Sequence, residues 1–160
     1  MGTSRGGDQR VLAAIVALVD TSTWAALVLK RFDNDREYPG RWCFAGGEVR
    51  QGESIGEAAR REVFEETGYL VGELDHIGQI ESTSETDNVY AIECFVTTDW
   101  TGSPVDYPSC EHVAAVWTPL EDLEALEPAA VATKWLARAV GQRFRPPRGS
   151  TCSNQRRAAR

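Results

Sequence analysis

The chain has 160 residues, of which 42% are apolar and 26% charged, and its formal net charge is −7 at pH 7. This length suits one domain that can bury a sizeable core without disulfide or metal crosslinks. No apolar run approaches the roughly 20 residues of a membrane-spanning helix, so the composition argues against a helical membrane protein.

The cysteines and histidines are scattered along the sequence. No C-x-x-C pair occurs, and His76 and His112 stand alone, which speaks against a zinc site and against a disulfide framework. Cys43 lies beside a glycine pair but has no histidine partner in view, so we interpret it as a small core residue rather than a nucleophile. A reducing cytoplasm is therefore the simpler setting.

Charge is unevenly distributed along the chain. Residues 1–142 contain 24 acidic and 11 basic residues, whereas residues 143–160 contain six arginines and no acid. This tail has too little apolar content to fold alone, so we predict a disordered extension, with an RNA-binding arm as the alternative. The predicted division is a disordered N-terminus at 1–9, one domain at 10–142 and a basic tail at 143–160.

Two strands are predicted at the start of the domain, at residues 10–20 and 25–31, joined by the turn-prone sequence D-T-S-T. The run 11–19 follows two arginines, as the apolar part of a signal peptide would. It is rich in β-branched residues and lacks a convincing cleavage site, so a buried strand is the preferred interpretation. A charged surface loop at 33–40 then leads into Trp42.

A helix with both ends marked is predicted at residues 55–67. Ser54 and Glu57 form an S-x-x-E capping box, and Gly68 can adopt the left-handed conformation that closes the last turn. At about 100° per residue, one arc of this helix is apolar and should be its buried face. The residues of that arc are Ile55, Ala58, Ala59 and Val63.

Three glutamates lie on or beside the apolar arc, with Glu62 and Glu66 in its middle and Glu65 at its edge. Carboxylates three and four residues apart repel one another, and an unpaired buried charge is costly. Arg61 can neutralise one of them, and a divalent cation, which prefers oxygen ligands, can neutralise the others. The alternative is a solvated acidic helix face, which fits the apolar neighbours less well.

Further strands and a second helix are predicted after this helix. The predicted elements are strands at 77–80 and 89–96, a loop at 99–109 and a strand at 112–118. Pro128 opens a periodic apolar stretch that suits a helix closed by Gly141. Strands mixed with two helices predict an α/β fold whose sheet is covered on both faces.

The spacing of glycines, arginine and glutamates around the first helix resembles the Nudix box, G-x5-E-x7-R-E-U-x-E-E-x-G-U, where U is apolar. The matching residues are Gly47, Glu53, Arg61, Glu62, Val63, Glu65, Glu66, Gly68 and Tyr69. Every specified position is filled, and so long a spaced pattern is a specific signal. The preceding segments L-V-L-K-R, P-G-R-W and F-A-G-G-E-V resemble the entry to a MutT-type Nudix domain, with Ala45 where the family usually has Pro.

The resemblance implies an α/β/α sandwich with a mixed β-sheet, and a hydrolase that cleaves nucleoside diphosphates linked to another group. It also implies Mg²⁺ or Mn²⁺ as the cofactor. The implied ligands are the carboxylates of Glu53, Glu62, Glu65 and Glu66 and the carbonyl of Gly46 at the turn into the box. Arg61 would hold a catalytic carboxylate in position.

Two residues are candidates for the general base, Glu62 on the helix and Glu111 at the end of the 99–109 loop. Arg31, at a strand end facing the mouth of the site, is the candidate for gripping a substrate phosphate, its alternative being a surface arginine. Gly47 would let the main chain approach a phosphate closely.

The substrate is the less specific part of the resemblance. The Pro of the ADP-ribose subgroup and the upstream motif of the coenzyme A subgroup are missing, and Tyr90 lies a few residues late for the tyrosine of the dinucleoside polyphosphate subgroup. By elimination, the leading hypothesis is hydrolysis of a nucleoside triphosphate to monophosphate and pyrophosphate. An RNA 5′-end or dinucleoside polyphosphate hydrolase and a non-catalytic nucleotide-binding module stay as alternatives. The expected partner is a nucleotide, without a membrane and with nucleic acid only through the basic tail; a homodimer is left open.

Overall fold

The computed structural model describes residues 10–145. The predicted disorder of residues 1–9 lies outside the described residues, as does the predicted tail from residue 146 onward. None of the helices within residues 10–145 has the length and apolar composition needed to cross a membrane.

The strands of residues 10–145 form one large mixed sheet and one two-stranded sheet. The large sheet contains β1 (Val11–Asp20), β2 (Ala25–Arg31), β3 (Trp42–Cys43), β4 (Ala45–Glu48), β6 (Asp75–Thr83), β7 (Val89–Thr97) and β9 (His112–Pro119). The small sheet pairs β5 (Tyr69–Val71) with β8 (Trp100–Gly102). The first strand is central, because β7 runs parallel to it on one edge while β2 and β4 share the other.

β1 and β2 pair only beside their connecting turn, where Val19 faces Ala26. Farther from the turn, residues 42–48 lie between them, since β3 pairs with β2 and β4 pairs with β1. This register places Gly46 opposite Ile15 in the middle of the sheet. The sequence predicted a turn at these glycines, and that was wrong. The segment is a strand, because it pairs with the part of β1 that β2 does not reach.

The first helix, α1 (Ile55–Thr67), has the predicted bounds and the predicted caps. Ser54 and Glu57 each accept a hydrogen bond from the other's main-chain N–H, and Gly68 is left-handed with φ of 80°. The second helix, α2 (Val131–Arg143), passes through Gly141, so the predicted stop there was wrong. A C-terminal glycine typically ends a helix by turning left-handed, and here Val140 before Gly141 and Phe144 after it both pack against the core.

Two apolar clusters lie on opposite faces of the large sheet. One includes Ala59 and Val63 of α1, and the other includes Leu136 and Val140 of α2. The sheet is therefore covered by a helix on each face, and the predicted α/β/α arrangement is confirmed. The predicted loop 99–109 was partly wrong, because Trp100 packs against Tyr69 with ring centroids 5.0 Å apart and draws β8 against β5.

Candidate active site

Gly46 and Gly47 lie where the sheet meets α1, and neither leaves room for a side chain. A Cβ on Gly46 would stand 2.1 Å from the main-chain oxygen of Ala14, and one on Gly47 would stand 2.7 Å from the carboxyl carbon of Glu62. The Gly46 N–H donates to Glu66 Oε2 at 2.9 Å. These glycines therefore let two carboxylates of α1 reach the main chain of β4.

Glu66 is the most buried carboxylate of the site, with 5% of its surface exposed. Its Oε2 accepts the Gly46 N–H, but its Oε1 has no hydrogen-bond partner among the described residues. Burial raises the pKa of Glu66 well above its ordinary value, and the Gly46 hydrogen bond offsets this only in part. Tyr107 donates its hydroxyl to the Glu66 main-chain oxygen at 2.6 Å and anchors the last turn of α1.

Arg61 binds three carboxylates and a main-chain carbonyl. It contacts Glu53 through two nitrogens, at 2.7 and 3.0 Å, and Glu65 at 3.2 Å. It also donates to Glu62 and, at 3.0 Å, to the main-chain oxygen of Glu48. The Arg61 hydrogen bonds lower the pKa of Glu53 to about 2. Arg61 therefore links Glu53, Glu62 and Glu65 in one ion-pair network.

The other two helix glutamates differ in environment, as the helical arc predicted. Glu62 has a side chain 14% exposed, and burial raises its pKa despite the Arg61 contact. Glu65 is 46% exposed and lies between Arg61 and Arg50, whose Nη2 is 3.5 Å from it. Glu62 thus faces the site, and Glu65 borders it.

Glu111, directly before β9, and His112, the first residue of β9, lie close to Glu66. One ligand atom of each of Glu66, Glu111 and His112 lies within 4.8 Å of the others. Glu111 is exposed, whereas His112 is completely buried, with Nε2 3.8 Å from Glu66 Oε1. The expectation that His112 stands alone was therefore wrong, because the strand pairing brings it to a residue 46 positions away in sequence.

His112 is also close to Cys43, with Nε2 and Sγ 3.7 Å apart, so Cys43 does have a histidine neighbour. The pair is not a nucleophile and base, however. Burial raises the pKa of the Cys43 thiol to about 12 and lowers the pKa of His112 to about 4. At neutral pH both are uncharged, whereas a reactive cysteine requires a thiolate.

Arg31 lies at the end of β2 and points to a pocket beside the glycine strand. Its Nη1 is 2.7 Å from Asp35 Oδ2, and Asp35 also accepts the main-chain N–H groups of Glu37 and Tyr38 at 3.0 and 2.8 Å. Asp35 therefore holds both Arg31 and the 33–40 loop in place. A side chain 20% exposed leaves Arg31 accessible from the pocket.

The pocket has a volume of about 180 Å³ and lies between β4, β7 and the start of α2. Four aromatic residues line it, Tyr38, Trp42, Phe44 and Tyr90. Tyr90 donates its hydroxyl to Glu48 Oε1 at 3.3 Å, while the buried Tyr38 hydroxyl makes no hydrogen bond of good geometry among the described residues. A cavity of roughly 150 Å³ holds benzene, so this one can accept a nucleobase-sized ring.

Asp35 and Tyr38 were not predicted as site residues from sequence patterns, and His112 has no ligand-type neighbour in sequence that would mark it as one. An aspartate that accepts main-chain N–H groups two and three residues ahead is a turn signal, and Asp35 could have been found that way. The proximity of His112 to Glu66 has no local signal, since it depends on how β9 pairs with β2.

The carboxylates fit a divalent cation. Arg61 engages Glu53, Glu62 and Glu65, but Glu66 keeps a buried oxygen with neither a hydrogen bond nor a charged partner in contact. Its nearest basic group within residues 10–145, His112, is neutral at pH 7. A bound cation would compensate this oxygen, which is costly to bury alone.

Comparison with known proteins places the chain in a family. The family model for the NUDIX domain matches residues 9–139. The oxidized purine nucleoside triphosphate hydrolase of Danio rerio is 39% identical over 69 residues, which is 42% of this chain and 44% of that protein. The nucleoside triphosphatase NudI of Salmonella heidelberg (strain SL476) is 50% identical over 42 residues, 26% of this chain and 30% of that protein. The chain thus spans less than half the length of these curated relatives.

Solved structures share the fold. The MutT NUDIX hydrolase from Burkholderia pseudomallei aligns with a TM-score of 0.72 and 22% identity, over 81% of this chain and 97% of that one. The MutT protein from Methanosarcina mazei Go1 aligns with a TM-score of 0.68 and 23% identity, over 88% and 99%. The predicted Nudix domain is confirmed, and this chain belongs to the Nudix family.

Proposed function

We propose that this protein is a divalent-metal-dependent hydrolase of nucleoside triphosphates that releases a nucleoside monophosphate and pyrophosphate. One observation carries the proposal: a base-sized aromatic pocket and a carboxylate cluster share the glycine strand β4. Gly46 and Gly47 line the pocket, while Glu66 bonds to Gly46 and Glu62 contacts Gly47. A nucleotide can therefore place its base in the pocket and its phosphates beside the carboxylates.

The groups that would hold Mg²⁺ or Mn²⁺ are the carboxylates of Glu62, Glu65 and Glu66 and the main-chain oxygen of Gly46, with Glu53 beside a further ion or its water. When bound, the metal would neutralise phosphate charge and lower the pKa of a water molecule. Both oxygens of Glu53 accept hydrogen bonds from Arg61, and one also accepts the Arg50 N–H at 2.9 Å. Its main contribution is therefore to hold Arg61.

Two carboxylates can accept the proton of the attacking water. Glu62 is partly buried with a raised pKa, which suits a general base near neutral pH. Glu111 is exposed and close to Glu66. It forms no ion pair with another described residue, so no ion pair has to break before it accepts a proton. Replacing each glutamate by glutamine distinguishes the two candidates. Only the variant that lacks the general base should lose most of kcat and the acidic limb of the pH–rate profile.

Arg31 would contact a substrate phosphate. It faces the pocket from the strand next to β3, and Asp35 fixes its guanidinium while other nitrogens of the group stay available for phosphate oxygens. The names of the relatives agree with a nucleoside triphosphate, since both the Danio rerio and the Salmonella protein are named for triphosphate hydrolysis.

The test is a product assay over the common ribo- and deoxyribonucleoside triphosphates, with dinucleoside polyphosphates and 5′-triphosphorylated RNA in the same panel. We expect monophosphate and pyrophosphate from a triphosphate, no turnover in excess chelator, and ¹⁸O from labelled water in one of the two products. A preparation of Glu66→Gln made in parallel controls for contaminating hydrolases. Orthophosphate as the only initial product, or full turnover with chelator, would refute the proposal.

A further inference from the structure

His112 is the one imidazole within residues 10–145 that faces the carboxylate cluster. It begins β9 directly after Glu111 and is completely buried. The pairing of β9 with β2 is irregular at this point, because Lys30 faces Ala114 whereas Arg31 faces His112. Such an irregularity turns a side chain away from the direction that regular alternation would give it.

Hydrogen bonds within residues 10–145 leave one Glu66 oxygen uncompensated beside His112. The 3.8 Å between His112 Nε2 and Glu66 Oε1 is too long for a hydrogen bond. The Nδ1 of His112 and the Oε1 of Glu66 are both buried without a hydrogen-bond partner among the described residues. His112 Nε2, the ring nitrogen nearest to Glu66, is 3.7 Å from Cys43 Sγ, so the unsatisfied atom of this close pair is Glu66 Oε1. A buried carboxylate oxygen left unsatisfied is costly, so a group that binds it is expected.

The spacing suits a metal ion. Imidazole nitrogens and carboxylate oxygens bind divalent ions at about 2.0–2.2 Å, so two such ligands of one ion lie roughly 3–4 Å apart. The Nε2 to Oε1 distance is 3.8 Å, and one ligand atom from each of Glu66, Glu111 and His112 lies within 4.8 Å of the other two. A small movement of the exposed Glu111 side chain would complete three ligands around one ion.

We propose that Glu66, Glu111 and His112 form a divalent metal site whose imidazole ligand makes it prefer Mn²⁺ over Mg²⁺. Mn²⁺ prefers oxygen ligands but, as a first-row transition metal, also accepts an imidazole nitrogen, although more weakly than Fe²⁺ or Zn²⁺ does, whereas Mg²⁺ takes oxygen ligands and keeps its water. The catalytic consequence rests on the proposed function, because Glu66 and Glu111 belong to both. The site then supports turnover with Mn²⁺ at lower metal concentration than with Mg²⁺.

The deciding measurement is pulsed electron paramagnetic resonance on Mn²⁺ added to the metal-free full chain. The protein contains two histidines, and His76 is exposed and paired with Glu93 on another part of the sheet. We expect modulation from a directly bound imidazole nitrogen, and a change of that modulation when the protein is labelled with ¹⁵N-histidine. This measurement needs no variant, so it does not depend on whether a substitution folds.

Variants then identify the histidine. The nitrogen signal should persist in His76→Gln and vanish in His112→Gln. Mn²⁺ affinity in His112→Gln should fall by more than the roughly 10- to 100-fold that loss of an outer-shell partner costs, with Mg²⁺ affinity nearly unchanged. Absence of Mn²⁺ binding, absence of nitrogen coupling in the wild type, or an unchanged Mn²⁺ to Mg²⁺ preference in His112→Gln would overturn the site.

Failure of the proposed function is distinguishable from failure of this site. If no triphosphate is hydrolysed but the nitrogen coupling is present, the metal site stands and the hydrolase proposal falls. If Mg²⁺ supports pyrophosphate release and bound Mn²⁺ shows no nitrogen coupling, the hydrolase proposal stands and the imidazole site falls.

Discussion

The main-chain N–H of Gly46 donates a hydrogen bond of 2.9 Å to Glu66 Oε2, across 20 residues of sequence. This contact ties the centre of the sheet to the last turn of α1. It satisfies one oxygen of a buried carboxylate and leaves the other without a hydrogen bond among the described residues. The fold therefore holds a charge that it does not fully compensate, and several predictions depend on that imbalance.

Glu66→Gln should stabilise the metal-free protein and abolish its stabilisation by metal. Glutamine can still accept the Gly46 N–H through its side-chain oxygen, and it removes the buried charge. We expect a higher Tm than wild type in chelator at pH 8, no further rise with Mg²⁺ or Mn²⁺, and a loss of rate on the order of 10²-fold or more. Glu81→Gln, an exposed glutamate paired with Arg10, is the matched control.

The same variant should alter how stability depends on pH. The pKa of Glu66 is raised from 4.5 in the folded state, so this carboxyl adds stability below about 4.5 and loses that contribution as pH rises through the folded pKa. The wild type in chelator should therefore lose more Tm between pH 5 and pH 8 than Glu66→Gln does. Equal slopes for the two proteins would show that Glu66 is not held in a raised-pKa environment.

Gly47→Ala should inactivate the enzyme while largely preserving the fold. The new Cβ would stand 2.7 Å from the Glu62 carboxyl carbon and would displace that carboxylate from the site. A displacement of about 1 Å costs on the order of 10²-fold in rate, so we expect at least that loss in kcat/KM with a cooperative melting transition retained.

Gly56→Ala is the control for that substitution. Its Cβ would meet only the end of the Arg60 side chain, at 3.1 Å, and alanine favours a helix. Its rate should match wild type and its Tm should rise. Wild-type activity in Gly47→Ala would mean that Glu62 does not need its observed position.

Arg61→Lys should lower activity although the charge is kept. A lysine cannot contact Glu53 through two nitrogens and also reach Glu62, Glu65 and the Glu48 carbonyl. We expect a fall of roughly 10- to 100-fold in kcat, with a weaker response of Tm to added metal. Arg60→Lys, at the preceding helix position, is the control because the hydrogen bonds of the Arg60 side chain within the described residues go only to main-chain oxygens of Gly56 and Gly72. Equal effects of the two substitutions would contradict the role of Arg61.

Deleting residues 146–160 should leave Tm unchanged, as their composition predicts. The sequence predicts a tail that begins at residue 143. In the structure, however, Phe144 packs against the apolar cluster that includes residues of α2, and Arg143 Nη2 is 2.7 Å from Asp75 Oδ2. A deletion beginning at 143 should therefore lower Tm by several degrees, since about 1 kcal/mol shifts a domain of this size by about 2–4 °C. A large fall after the shorter deletion would show that the tail contributes to folding.

Helix α1 could be predicted in full because everything that defines it is local. The caps are local: Ser54 and Glu57 cap the first turn and Gly68 caps the last. The helical repeat predicts how deeply each of the three glutamates is buried from its angle on the apolar arc. The observed exposures follow that order, with Glu66 most buried and Glu65 most exposed of the three. Local hydrogen bonds and periodicity do not depend on the partner strands.

The β4 strand and the small sheet could not be predicted from local signals. Ala45–Glu48 carries a glycine pair and no β-branched residue, so its strand conformation comes from the open edges of β1 and β2. Trp100–Gly102 is a strand because it pairs with Tyr69–Val71. In both cases the ladder partner supplies the stability that the residues themselves lack.

For this protein, the sequence alone determined the family and the helix that carries its glutamates, because these depend on residue types at fixed short spacing. Only the tertiary structure decided that His112 lies beside Glu66, that Asp35 positions Arg31, and that a base-sized pocket adjoins the glycine strand. These contacts join residues of different strands and loops. Their distances are set by strand register and packing, which no local pattern encodes.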